Sequence, residues 1–236
     1  MDERRNHYRL EAGREFRSTA LVLGLAVLFL ASVFSFSPIP VEQLSLDPNN
    51  VGGLPWFVGI VSMLGAVAWT VAVVAAAGGA WIASTVGRDG AASMLRGGAL
   101  LSTLLLVDDL FQIHTLPYPL LGVPKSVVLG GYGLLALCWV AAEWQEILRT
   151  RTGLVLLAAA LFAVSLAVDQ FGVGFSRSNS GPVVALEDGA KFLGTAIWAK
   201  YFVMTAAGII RSIVNQQSDL TSPTAEPREV SVATPR

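Results

Sequence analysis

Six long runs of apolar and small residues, separated by short charged connections, restrict this chain more than any other feature. They occupy approximately 18–36, 56–84, 94–115, 126–142, 153–171 and 183–210. A bilayer core about 30 Å thick is crossed by about 20 apolar residues in a helix. Inside lipid only a helix or a closed barrel satisfies its own backbone. The expected fold is therefore all-α, a polytopic membrane bundle of six transmembrane helices. The chain is 53% hydrophobic and 14% charged, with mean hydropathy +0.60, whereas soluble domains are about a quarter charged. Run two is long enough to tilt, and Gly78-Gly79 offers a place to bend. Pro117 and Pro119 end the third run, and Pro124 opens the fourth.

Lys and Arg set the orientation. Arg4, Arg5, Arg9, Arg14 and Arg17 precede the first run; Arg88 and Arg96 flank the second connection; Arg149 and Arg151 occupy the fourth; Arg211, Arg228 and Arg236 follow the last. The other three connections hold only Lys125 and Arg177. By the positive-inside rule both termini are cytoplasmic. Residues 1–17 then form a basic cytoplasmic arm, 18–212 the transmembrane domain, and 213–236 a cytoplasmic tail. That tail is rich in Ser, Thr, Pro and Glu and is expected to be disordered. The first run exceeds a signal-peptide core of about 7–15 residues, so it reads as a retained span. The chain is expected to be a multi-pass protein of the cell membrane with the lipid bilayer as its partner. A homo-oligomer or a membrane partner is open to it.

Several functions are disfavoured. No basic patch with interleaved aromatics marks a nucleic-acid surface. Cys138 lies in an apolar run without Cys or His neighbours and reads as a buried, inert thiol. No phosphate-binding loop, HExxH or GxSxG motif and no internal repeat is present. No metal site is expected and no cofactor is indicated.

The chemistry concentrates in a few intramembrane polar residues. Asp108 and Asp109 stand side by side in the third run, where each acid costs about 3 kcal/mol on insertion scales. At a rise of about 1.5 Å per residue, Asp108 lies about 18 Å beyond Arg96, just outside the midplane. His114 reaches the outer interface and is expected to be rotated away from Asp108. Gln112 shares a helical face with the acids. Asp169 closes the fifth run. Glu187, Asp188 and Lys191 open the sixth, with Glu187 and Lys191 spaced for an ion pair. Lys200 is nine residues from Lys191, on the opposite face.

The primary candidate site is thus Asp108, Asp109, Gln112, Glu187, Asp188 and Lys191, with His114, Asp169 and Lys200 in support. Two close acids favour retention of a proton. The leading expectation is a small-solute or ion and proton pathway with an acidic site in the outer half of the bilayer. The alternatives are an intramembrane hydrolase and a non-enzymatic subunit of a membrane complex. His7 and His114 are the only histidines, and catalytic zinc usually takes more than one His or Cys ligand.

Overall fold

The computed structural model describes residues 17, 21, 23–24, 27–28, 31–32, 35–36, 48–55, 57–171 and 180–221. Among them the regular structure is entirely helical, without strands. The chain divides into two units, Met1–Val58 and Gly59–Arg236.

In the first unit the described positions between 17 and 36 have helical backbone, and most of the predicted first span lies outside the described residues. A single helical turn, α1 (Pro48–Val51), follows. Asn49 is buried and ties this turn to its own loop. Its side-chain amide donates to the Val58 carbonyl at 3.0 Å, and its carbonyl accepts the Leu54 N–H at 2.7 Å. Gly53, at φ +64°, makes the reversal that brings the two arms of this loop together.

The second unit comprises α2 (Ile60–Thr85), α3 (Asp89–Phe111), a 3₁₀ turn (Ile113–Thr115), α4 (Pro117–Leu121), α5 (Lys125–Ala142), α6 (Trp144–Leu148), α7 (Thr152–Phe171) and α8 (Ser180–Thr221). Five of these helices contain stretches long and apolar enough to cross a membrane. Helices α2 and α3 pack against each other, and α8 packs against both α2 and α7. Their small residues permit close approach. A Cβ at Gly79 would meet the Ala206 Cβ at 3.0 Å. Helix α2 therefore passes unbroken through Gly78-Gly79, and Gly79 serves packing.

Large side chains join α3, α5 and α8. Trp139, Trp198, Tyr201 and Phe202 form a contiguous aromatic cluster, with Trp139 and Trp198 centroids 5.4 Å apart and those of Trp198 and Phe202 5.1 Å apart. The polar edges of these rings are satisfied. Trp139 Nε1 donates to the Met94 carbonyl at 3.0 Å, and Trp198 Nε1 to Ser102 Oγ at 2.9 Å. Gly97 and Gly98 make room on α3 for Trp139 and Phe202.

Two helix boundaries and the burial of one residue differ from expectation. Helix α3 runs from 89 to 111 instead of 94–115, because Arg96 projects from within the helix and the chain turns at Gln112. Helix α8 continues past 212 to Thr221, so residues 213–221 are helical and not disordered. Their polar composition does not stop a helix already propagating from the bundle. Cys138 is exposed and not buried. Helix α5 is packed mainly at its Trp139 end, so most of its circumference stays outside the protein interior.

Candidate functional site

The end of α3 creates the site. Gln112 adopts the left-handed conformation, φ 49° and ψ 42°, and its N–H bonds back to the Asp108 carbonyl. Left-handed backbone is a standard helix terminator. The following 3₁₀ turn reverses the chain over the helix end. The His114 N–H consequently donates to Asp108 Oδ1 at 2.7 Å, and His114 Nδ1 lies 2.7 Å from Asp108 Oδ2. Tyr132 OH, from α5, donates to Asp108 Oδ1 at 3.0 Å. Asp108 is only 7% exposed yet fully engaged. With Asp108 as carboxylate, Nδ1 carries the proton of this contact.

These contacts correct the expected divergence of His114 from Asp108, which assumed a continuous helix. The same turn removes Gln112 from the acid face. Its side chain is exposed and does not line the cavity described below.

Asp109 points to another neighbour. It forms an ion pair with Lys191 of α8, with its side chain 9% exposed against 43% for Lys191. Lys191 thus bridges to α3, and the intrahelical pair with Glu187 that the spacing suggested is absent among the described residues. Asp169, on α7, binds Lys125 Nζ at 2.8 Å and the Gln170 amide at 2.9 Å. Glu187 faces Asp169 across α7 and α8. Asp188 lines a separate 60 Å³ hollow with Gly65, Lys191 and Thr195. Lys200 is exposed and lines neither space.

Asp108, Asp109, His114, Asp169, Glu187 and Lys191 all border one cavity of about 250 Å³. Lys125 and Tyr132 complete its polar rim, while Trp69, Leu105, Phe162 and Leu166 form the apolar remainder. Trp69 stacks on Phe162 at 5.7 Å and braces that wall. Such a lining of apolar surface with a few polar groups suits small-molecule recognition. Among the described residues no cluster of three or more metal-binding side chains is arranged around an ion position.

Sequence reasoning missed Lys125, Tyr132, Ser165, Trp69 and Phe162. Lys125 had a legible signal, since it is one of only two cations in the connections predicted to face outward. The others carry no signature apart from tertiary contact.

Five apolar helices packed around buried charges define an all-helical protein suited to membrane insertion. The chain belongs to the family described as a domain of unknown function, DUF8692, whose model matches residues 20–205. Comparison with curated proteins and with solved structures returns no match.

Proposed function

We propose that this protein is a six-span cell-membrane protein with cytoplasmic termini, and that its cavity is the outward-facing site of a small-solute or proton pathway. The distribution of Arg supports this orientation. The observation that carries the functional reading is the sequence of environments along α8. Glu187 and Lys191 border the charged cavity; Trp198, Tyr201 and Phe202 form the aromatic barrier; Thr205 and Gly208 border a second cleft at the opposite end. A space on each side of a packed aromatic layer supports this reading, since a gated pathway at rest needs both. The barrier holds isolated polar positions, Ser102 and Thr195, and Tyr201 OH reaches Thr150 Oγ1 at 3.0 Å beside the second cleft. The hydrogen-bonded Asp108–His114 pair borders the cavity.

Proton entry into proteoliposomes loaded with a pH-sensitive dye tests the reading under an imposed pH gradient. Wild type is expected to exceed empty vesicles, and Asp108→Asn and Asp109→Asn to fall to background. Equal rates in wild type and both variants would refute it.

The Asp108–His114 dyad also favours intramembrane hydrolysis, with His114 Nε2 activating water. A hydrolytic role predicts product release in detergent solution, where no gradient exists.

A further inference from the structure

At the opposite end of the second unit from the charged cavity, Arg88, Arg149 and Arg151 surround a cleft of about 660 Å³. Two connections bring them together. Arg88 precedes α3 at the short turn after α2, and Arg149 and Arg151 lie between α6 and α7. Helix α8 closes the cleft with Thr205 and Ile209. The first turn of α3, Asp89 to Ala91, also borders it. Arg88, the residue capping α3, makes no side-chain cap bond. The leading N–H groups of a helix have no intrahelical acceptors, and the helix dipole adds positive potential there. Helix α7 begins at Thr152, directly after Arg151.

Two acids share the cleft: Glu146 is bound to Arg149 at 2.6 Å with its carboxylate against Gly90 in the first turn of α3, and Asp89 is exposed. Three arginines against these two acids leave the lining net positive. Arg88 and Arg151 have no ion pair among the described residues. Guanidinium groups match the oxygens of a phosphate.

We infer that this cleft binds a phosphate-bearing anion, either the head group of an anionic phospholipid or a free phosphate. The three arginines supply the charge and the oxygen contacts, and the apolar wall from α8 accepts the start of an acyl chain when the source is lipid. The inference concerns binding and does not rest on the pathway reading.

Native mass spectrometry of the full chain in mild detergent, offered equal phosphatidylglycerol and phosphatidylcholine, tests it. The anionic lipid is expected to be retained about tenfold over the zwitterionic one. Arg88→Gln/Arg151→Gln leaves the Glu146–Arg149 pair intact and is expected to weaken retention about 30-fold at low salt. Glu146→Gln removes a competing acid and is expected to strengthen it. Displacement of the lipid by millimolar inorganic phosphate identifies free phosphate as a ligand; retention despite phosphate identifies the head group. Equal retention of both lipids with no phosphate binding overturns the inference. Unchanged retention in the arginine variant does so as well. Should that variant fail to fold, Glu146→Gln decides: tighter binding supports the site and unchanged binding rejects it.

Discussion

His114 Nδ1 lies 2.7 Å from Asp108 Oδ2, although a straight helix would turn these residues apart. Residue 112 makes the contact. Its left-handed backbone stops α3 and folds the 3₁₀ turn back onto the last helical acid. A buried carboxylate is thereby satisfied by a donor from the turn that ends its own helix.

Gln112 pays a conformational cost at φ 49° that glycine avoids. Gln112→Gly is expected to hold or raise stability by about 0.5–1 kcal/mol. Gln112→Val, which resists this region, is expected to lose about 1–2 kcal/mol and release His114. Thermal unfolding in detergent reads both changes.

The Asp109–Lys191 pair joins α3 to α8 through one nearly buried carboxylate. Asp109→Asn is expected to cost about 1–3 kcal/mol, below the range for fully buried pairs because Lys191 is partly exposed. The double variant Asp109→Asn/Lys191→Met is expected to be less destabilised than the two single changes added together. A double-mutant cycle on unfolding free energies measures that coupling.

Gly97 and Gly98 are occupied from outside by aromatic rings. A Cβ at Gly97 would lie 2.8 Å from Trp139 Nε1. Gly97→Ala is expected to destabilise by about 1–3 kcal/mol through overpacking. Gly130→Ala, where nothing lies within 4 Å, is the control and is expected to gain up to about 1 kcal/mol from helix propensity. Opposite shifts in melting temperature check the pair.

Trp198 closes the aromatic barrier and donates to Ser102. Ser102→Ala leaves its indole N–H without that acceptor and is expected to cost about 1–3 kcal/mol. Trp198→Ala opens space in the barrier and is expected to raise passive proton leak in proteoliposomes. An unchanged leak in folded Trp198→Ala would show that this ring does not close the path.

Cys138 is exposed on α5, about 20 Å along the helix from Lys125. In intact membranes it is expected to react with a membrane-permeant maleimide and resist a charged impermeant one. Mass spectrometry of the labelled chain distinguishes these outcomes.

The helical class of the chain and the limits of α5 and α7 follow from local information. Long apolar runs select helices wherever backbone groups must be satisfied without water. The predicted 126–142 and 153–171 closely match α5 and α7. The polar residues worth watching were also legible, because acids among Leu and Val are conspicuous at any register. Their partners were not. Asp108 meets Tyr132 and Asp169 meets Lys125 across helices whose relative rotation no local pattern specifies. His114 reached Asp108 because one residue left the helical region, a choice made by the packed chain and not by Gln propensity. By itself the sequence determined which segments are helical and which charges are out of place, since both depend on neighbours along the chain. Only the tertiary structure decided that those charges surround one cavity and pair as Asp108–His114, Asp109–Lys191 and Asp169–Lys125, since that depends on how helices rotate and dock.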